Sequence, residues 1–358
     1  MKRFVHTVLS QRVVFGAGTF AELGDELTRF DGQRALVLST PDQRLLAQAT
    51  AAKLGAKAVG VFDRAAMHVP IETVDAARSF ARSLGADCVV AVGGGSTIGL
   101  AKALALEPGL RVVAVPTTYA GSEMTPIYGI TESGAKRTGR DPRVLPSTVI
   151  YDPDLTRSLP AATSVMSGIN AVAHAAEALY AVDRSPITDL LAQEGIAALA
   201  RAVPVLARSM ADVSAVQEQA RVDALYGAWL CGSVLGSVSL ALHHKLCHIL
   251  GGSFDLPHAH THAIVLPHAL AYNAAAAPDA MRKIRRALGG ESAAQGAYDL
   301  AAGAGLSMAM RDIGFKAEDL DSACRLALEH PYPNPRALEP RAIRQLLQDA
   351  FDGVRPVR

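Results

Sequence analysis

Histidines are concentrated in one part of this 358-residue chain. Seven of the eleven lie between residues 243 and 268: His243, His244, His248, His258, His260, His262 and His268. Imidazole binds metals, transfers protons and changes its charge near neutral pH, so such clustering is typical of a reaction site. Buried histidines without such a role would leave many polar atoms in need of partners. The cluster therefore predicts an active site.

Helical spacing adds two candidates from an earlier segment. Asn170 and His174 are four residues apart in an apolar segment, so they share one helix face. His244 and His248 have the same spacing later in the chain, and His258 follows a proline ten residues further on. Side chains from two helices and a bend would form either a three- or four-ligand metal site or a proton relay. The residues alone leave both possibilities open.

A glycine-rich turn follows a predicted strand in the N-terminal half. The strand covers residues 88–92, a helix is predicted over 98–106, and between them lie Gly93, Gly94, Gly95, Ser96 and Thr97. Glycines let the backbone approach an anion closely, and a helix start offers free N–H groups. Ser96 and Thr97 are expected to cap this helix and to donate hydroxyls. The turn does not match GxGxxG, so a plain turn is the alternative to a phosphate site.

A second loop, rich in hydroxyl groups, follows the next predicted strand. It contains Thr117, Thr118, Tyr119 and Ser122. We expect both loops at the carboxyl edge of one sheet, where open α/β sheets bind their ligands. Together the two loops predict a nucleotide site, with Tyr119 and Ser122 lining the pocket.

The order of predicted elements gives the fold class. Short β-branched runs at residues 12–15, 35–38, 57–62, 88–92 and 111–115 alternate with helical patterns such as 19–30 and 71–84. Strands separated by helices predict a Rossmann-like parallel sheet with helices on both faces.

Beyond Pro160 the strand patterns end. Ala/Leu-rich helical periodicity covers residues 165–180, 186–207 and 214–250. A chain of this length exceeds what one core usually holds. We therefore predict a dinucleotide-binding α/β domain over residues 1–157 and an all-helical catalytic domain over 158–358.

Composition narrows the class of protein. Half of the residues are hydrophobic, 19% are charged and the formal net charge is +1, which argues against a nucleic-acid surface. The four scattered cysteines have the pattern of reduced thiols. No signal peptide or membrane-spanning run is expected, which favours a cytoplasmic protein.

Motifs spread over nearly the whole chain resemble the iron-containing (group III) alcohol dehydrogenases. They are GGGST at 93–97 with Lys102 behind it, PTTYAGSEMTP at 116–126, IYDPDLT at 150–156, NAVAHAAEAL at 170–179 and HKLCHILGGSFDLPH at 244–258. The resemblance implies the fold of that family, an α/β domain followed by a helical domain as in dehydroquinate synthase. It also implies a homodimer.

The resemblance assigns roles to single positions. In the family, an Asp and a His four residues apart and two His fourteen apart hold the metal; the matching positions are Asn170, His174, His244 and His258. His248 matches a proton-relaying histidine near the nicotinamide, and Lys136 matches a lysine near the cofactor. Thr40 replaces an acid that often binds the adenosine ribose, so the resemblance implies NADH or NADPH without a preference.

Departures from the family pattern indicate one branch of it. Asn170 replaces an anionic metal ligand by a neutral amide, so a divalent metal, Fe or Zn, is expected to be weakly held and not required. Lys245 replaces a small residue. Together with TGRDPRVLP at 138–146 and HHKLCH at 243–248, Asn170 resembles the branch that reduces maleylacetate to 3-oxoadipate during aromatic-ring degradation.

The implied chemistry suits the histidines. Maleylacetate is a dicarboxylate with an alkene conjugated to a ketone, and hydride addition to the alkene produces an enolate that needs hydrogen-bond donors and then a proton. His243, His244 and His248 are expected to supply both. Lys245 or Lys136 would pair with a substrate carboxylate. The histidines with no family role, predicted to be structural, are His260, His262 and His268.

Two other activities stay open on the same fold. One is a metal-dependent alcohol or polyol dehydrogenase, and the other is a lyase similar to dehydroquinate synthase, which would show no net NADH consumption. All three need the histidines to meet the nicotinamide ring across a gap between the two domains.

Overall fold

The computed structural model describes residues 3–133, 135–208, 214–329 and 332–357, with the backbone alone at residues 135 and 136. The chain forms two compact units. An α/β unit comprises Val8–Leu159, and a helical unit comprises Pro160–Arg358 together with the residues up to Thr7.

The α/β unit contains eight strands and four α-helices among its described residues. The strands are β1 (Arg12–Phe15), β2 (Ala35–Leu38), β3 (Ala58–Phe62), β4 (Cys88–Gly93), β5 (Arg111–Pro116), β6 (Ile127–Glu132), β7 (Ala135–Arg140) and β8 (Thr148–Tyr151). The helices are α1 (Leu23–Thr28), α2 (Arg44–Leu54), α3 (Ile71–Ser83) and α4 (Gly95–Leu104). The expected alternation of strands and helices is confirmed.

Six of these strands form one parallel sheet in the order β1-β8-β5-β4-β2-β3. The five strands predicted from sequence are all present. Strand β8, which the sequence analysis did not predict, lies between β1 and β5, and β6 and β7 form a separate antiparallel hairpin. Sequence periodicity missed the hairpin because it carries mostly polar side chains.

Alternating side chains of the central strands pack into two cores, one on each face of the sheet. Leu36 and Val89 join a core with α3 and α4. Val37 and Val90 point the other way and join a core with α1 and α2. Because β4 is buried along its whole length, it reads as an unbroken apolar run, as strands covered on both faces do. The prediction of helices on both faces is confirmed.

The first helical segment is shorter than predicted. Residues 19–30 were expected to form one helix, but a 3₁₀ turn at Thr19–Glu22 precedes α1. Asp152 helps to fix this turn, since its carboxylate accepts the backbone N–H groups of Gly18 and Phe20 at 3.1 and 3.0 Å.

The helical unit consists of helices and connecting segments wherever it is described. Its α-helices are α5 (Ala161–Ala178), α6 (Pro186–Leu206), α7 (Ala215–Leu235), α8 (Leu242–Phe254), α9 (His258–Asn273), α10 (Pro278–Leu288), α11 (Ala293–Gly303), α12 (Leu320–Leu328) and α13 (Pro340–Asp352). No α-helix of the described residues is long and apolar enough to cross a membrane.

Residues 214–250 were expected to form one helix, and this prediction is wrong. The chain leaves the helix after Leu235 and starts α8 at Leu242. In the break, the carboxylate of Asp183 accepts hydrogen bonds from the backbone N–H and the hydroxyl of Ser239. Because these bonds replace helical ones, the break lets α8 start in a new direction and place its histidines independently of α7.

Candidate functional site

The glycine turn and the hydroxyl-rich loop lie at the same edge of the sheet. Strands β4 and β5 run parallel with Gly93 opposite Pro116, and the backbone N–H of Thr117 donates to the carbonyl of Gly93 at 3.1 Å. The two loops therefore begin side by side at the carboxyl ends of their strands. This is the edge at which open α/β sheets bind ligands.

The helix after the turn starts earlier than predicted. Helix α4 begins at Gly95, with Gly94 as its N-cap and no side-chain cap. From the sequence, Ser96 and Thr97 were expected to cap this helix. They are instead residues of its first turn. Since no side chain occupies the cap position, the first N–H groups and the positive end of the helix dipole are available to an anion.

Close packing explains two of the three glycines. A Cβ on Gly93 would lie 2.5 Å from Thr97 Oγ1, and one on Gly94 would lie 2.8 Å from Thr118 Cγ2. Gly95 differs, because a Cβ there would meet no protein atom within 4 Å. Gly93 thus makes room for Thr97 in the first turn of α4, Gly94 lets the two loops pack together, and Gly95 keeps the helix start open.

The end of β2 contributes to the same edge. Thr40, two residues after the end of β2, is the N-cap of a 3₁₀ turn at Pro41–Gln43. The side-chain amide of Gln43 donates to Thr117 Oγ1 at 2.8 Å. Sequence reasoning missed Gln43, and its place shortly after the end of a predicted strand was the available signal. Since β3 lies beyond β2 and β5 lies beyond β4, the β2–β4 boundary is the point where the strand order reverses.

A buried lysine holds the second loop in place. The ammonium group of Lys102 on α4 donates to the carbonyl of Ser122, to Thr125 Oγ1 at 2.9 Å and to the carbonyl of Ile127 at 2.9 Å. Burial lowers the pKa of Lys102 to about 7, and the carboxyl of Glu123 acts in the opposite direction. Three oxygen acceptors satisfy its three N–H donors, so Lys102 joins α4 to the segment after Ser122.

The remaining nucleotide candidates are placed as follows. Tyr119 is fully buried, and Ser122 begins a 3₁₀ turn with its hydroxyl shielded from solvent. The backbone of Lys136 lies on β7 opposite Thr131, and its side chain lies outside the described part of the chain.

In the helical unit, three helices bring the histidine side chains together. Helix α5 supplies His174, α8 supplies His243, His244 and His248, and α9 supplies His258 and His262. The rings form one continuous group, in which the centroids of His174 and His244 lie 5.0 Å apart, those of His244 and His262 5.1 Å, and those of His258 and His262 4.4 Å.

Glu177 orients this cluster, and sequence reasoning missed it. Its side chain is fully buried, and its Oε2 lies 2.5 Å from His244 Nδ1. Its Oε1 accepts the backbone N–H of His243 at 2.9 Å. Burial alone would raise the pKa of Glu177, but the attraction and hydrogen bond of His244 lower it to about 2. The available signal was its position three residues after His174, on the same helix face.

The carboxylate of Glu177 fixes which nitrogen of His244 faces the site. With Nδ1–H donating to Glu177, the Nε2 lone pair of His244 points towards His174 Nδ1 at 2.7 Å. On the same face of α5, the side-chain oxygen of Asn170 is buried and has no hydrogen-bond partner among the described residues. An imidazole lone pair, a second imidazole and an orphaned amide oxygen thus belong to one buried polar region.

More exposed residues border the cluster. His248 is exposed, one helical turn after His244, and the two ring centroids lie 6.2 Å apart. Half-buried Lys245 places its ammonium 5.9 Å from the ring centroid of Tyr332. The Tyr332 hydroxyl is shielded from solvent and has no hydrogen-bond partner among the described residues. Sequence reasoning missed Tyr332.

The histidines predicted to be structural differ in their surroundings. His260 lies 2.8 Å from the carbonyl of Ser307 through its Nε2. Burial lowers the pKa of His268 to about 4. His262, in contrast, contacts the rings of His174, His243, His244 and His258, so it is part of the cluster.

Comparison with known proteins covers nearly all of the chain. A family model described as "Iron-containing alcohol dehydrogenase" matches residues 10–153, and one described as "Fe-containing alcohol dehydrogenase family, C-terminal" matches residues 164–351. The chain is 57% identical to a maleylacetate reductase from Burkholderia cepacia, covering 99% of this chain and 100% of that protein.

A second relative and a solved structure give the same picture. The chain is 56% identical to a maleylacetate reductase from Sphingobium indicum, over 99% of both proteins. The crystal structure of maleylacetate reductase from Agrobacterium tumefaciens superposes with a TM-score of 0.95 at 51% identity, covering 99% of this chain and 100% of that one. With both family models matched, this chain belongs to the iron-containing alcohol dehydrogenase family.

Proposed function

We propose that this protein reduces the carbon–carbon double bond of maleylacetate to give 3-oxoadipate, with NADH or NADPH as the hydride donor. The observation that carries the proposal is the 57% identity to a maleylacetate reductase along the full length of both proteins. A cytoplasmic location and a homodimer, both expected from the sequence, stay predictions.

The α/β unit is proposed to bind the nucleotide. The pyrophosphate would lie against the uncapped start of α4, where Gly93, Gly94 and Gly95 bring the backbone close and unpaired N–H groups meet the negative charge. The other residues proposed to contact the cofactor are Ser96, Thr97, Thr117, Thr118, Ser122, Lys136 and Thr40. Because Thr40 is neutral, it would not repel the 2′-phosphate of NADPH as a carboxylate would.

The helical unit is proposed to handle the proton and the substrate. The bound cofactor supplies a hydride to the alkene, which leaves an enolate on the substrate. Exposed His248 would donate a hydrogen bond to the enolate oxygen and a proton to carbon. His244, whose Nδ1–H is held by Glu177, would donate only when its Nε2 also carries a proton. Lys245, beside Tyr332, would pair with a substrate carboxylate. His243 and Tyr119 stay proposed site residues, and both are fully buried.

A metal ion bound at the family's metal positions would have uncharged ligands in this chain. The orphaned side-chain oxygen of Asn170 and the facing nitrogens of His174 and His244 are donors that suit a divalent cation, and His258 would complete the set. A bound ion would polarise the substrate carbonyl. Without the aspartate that the family has at position 170, these ligands bring no negative charge of their own. We therefore propose weak binding and no strict requirement, since an enolate needs less stabilisation than an alkoxide.

Substrate comparison tests the proposed reaction. We expect rapid NADH or NADPH oxidation with maleylacetate and little with simple ketones or aldehydes, followed spectrophotometrically. Activity should survive a chelator. Turnover of ketones without turnover of maleylacetate would overturn the proposal and favour an alcohol dehydrogenase.

Replacing Gly95 tests the position of the pyrophosphate. A methyl group there meets no protein atom within 4 Å, so Gly95→Ala should leave the melting temperature unchanged. The methyl group would project towards an anion bound at the helix start. We therefore expect the Kd for NADH, measured by fluorescence titration, to rise at least about tenfold, or about 1.4 kcal/mol.

Gly24→Ala is the matched control, because its added methyl group also meets no atom within 4 Å. It should change neither the melting temperature nor the Kd. An unchanged Kd in Gly95→Ala would mean that the pyrophosphate does not bind there.

Removal of His248 tests proton transfer. Since His248 is exposed, His248→Ala should fold normally, while kcat with maleylacetate falls about 100-fold. His260→Ala is the control, because that imidazole contacts the carbonyl of Ser307 at 2.8 Å and has no proposed catalytic role. Wild-type rates in His248→Ala would show that this histidine is not involved.

Restoring the family aspartate tests the argument from charge. Asn170→Asp adds an anionic ligand beside His174, so we expect its affinity for Fe²⁺ under anaerobic conditions to rise at least about tenfold, measured by equilibrium dialysis. Asn170→Ala adds no charge, so its affinity for Fe²⁺ should not rise. Equal iron binding in the wild type and Asn170→Asp would mean that the charge at this position does not govern the metal.

A further inference from the structure

Two histidines of the cluster and a cysteine form a second group of potential ligands that uses none of the family's metal positions. His243 and Cys247 are one helical turn apart on α8, and His262 faces them from α9. All three side chains are fully buried. Their ligand atoms, two imidazole nitrogens and a thiol sulfur, all lie within 4.8 Å of one another. A thiol between two imidazoles is a donor set that zinc prefers.

The distances in this group are close to those of a zinc site. His243 Nε2 lies 2.9 Å from His262 Nδ1 and 3.8 Å from Cys247 Sγ. Zinc bonds of about 2.0–2.1 Å to nitrogen and about 2.3 Å to sulfur at tetrahedral angles separate two nitrogens by about 3.3 Å and nitrogen from sulfur by about 3.6 Å. Shifts of a few tenths of an ångström would bring these two pairs to zinc geometry, and the third pair, His262 and Cys247, already has its ligand atoms within 4.8 Å.

Hydrogen bonding alone does not satisfy these imidazoles. When His243 and His262 share one hydrogen bond, His243 Nδ1 and His262 Nε2 stay without a partner among the described residues. A metal bound by His243 Nε2 and His262 Nδ1 would replace this shared hydrogen bond by a bond to each nitrogen, while His243 Nδ1 and His262 Nε2 would carry the ring protons.

The charges in this region balance around a divalent ion. Zinc with a Cys247 thiolate carries one net positive charge, and the thiol proton leaves to solvent on binding. The buried carboxylate of Glu177 accepts the backbone N–H of His243 at 2.9 Å and supplies one negative charge nearby. The ion, the thiolate and this carboxylate together are neutral, so the interior would carry no uncompensated charge.

We propose that His243, Cys247 and His262 bind a Zn²⁺ ion that joins α8 to α9 behind His244. The ion is structural, and the described residues supply three protein ligands for it. By fixing the two helices to each other, it stabilises the part of α8 that presents His244. This site is independent of Asn170, His174 and His258.

Cobalt spectroscopy tests the proposal. Protein expressed in cobalt-supplemented minimal medium should show a sulfur-to-cobalt charge-transfer band in the near ultraviolet. Cys247→Ser should lose this band and, when produced with zinc, should hold one equivalent of zinc per chain less than the wild type. Cys231→Ser, which alters another fully buried thiol, should keep both. His174→Ala should also keep the band, because that residue belongs to the family metal set.

Absence of the band from the wild type, or its persistence in Cys247→Ser, would overturn the proposal. If Cys247→Ser does not fold, X-ray absorption at the zinc edge decides the matter with the wild-type protein. A sulfur atom in the first coordination shell supports the site, and a shell of nitrogen and oxygen alone refutes it.

Discussion

One buried carboxylate organises the polar interior of the helical unit. Glu177 accepts the ring proton of His244 and the backbone N–H of His243, so it sets both the tautomer of one imidazole and the start of α8. A carboxylate in an apolar interior is unfavourable unless it is paired and hydrogen-bonded. The histidines that Glu177 orients are therefore also the groups that make its burial possible. Neither partner is stable in this position without the other.

In the α/β unit, by contrast, the first backbone N–H groups of α4 are left available to a ligand. The start of α4 has no side-chain cap, and Gly95 leaves the space in front of it open. Helix starts are normally capped by Ser, Thr, Asp or Asn, and here Gly94 occupies that position. The two hydroxyl residues lie inside the first turn instead. If α4 began two or three residues later, Ser96 or Thr97 would occupy the N-cap position and would cap the helix start.

Sequence reasoning succeeded where the pattern was local. The strand at Arg12–Phe15 and the strand at Ala35–Leu38 were predicted to the residue, because β-branched or apolar runs end at glycine or proline. It failed where tertiary contacts override the pattern. The break between α7 and α8 depends on Asp183, more than 50 residues before Ser239 in the chain.

The histidine cluster shows the same limit. Spacing in the sequence identified the positions on α5, α8 and α9, and it could not reveal that Glu177 orients His244 or that His262 belongs to the cluster. Both facts arise from how three helices meet. Glu177 and His262 take part in the cluster only because side chains of neighbouring helices contact them.

The pairing of β1 with β8 affects how the chain folds during its synthesis. In the described sheet, β1 is an edge strand whose sole neighbour is β8, about 135 residues later in the chain. During synthesis the first strand stays unpaired until residues 148–151 have left the ribosome, although β2, β3 and β4 already have their neighbours and β5 has one of its two. Contacts so distant in sequence slow folding and leave an open strand edge in the meantime. The nascent chain is consequently most prone to aggregation in the interval just before this pairing forms.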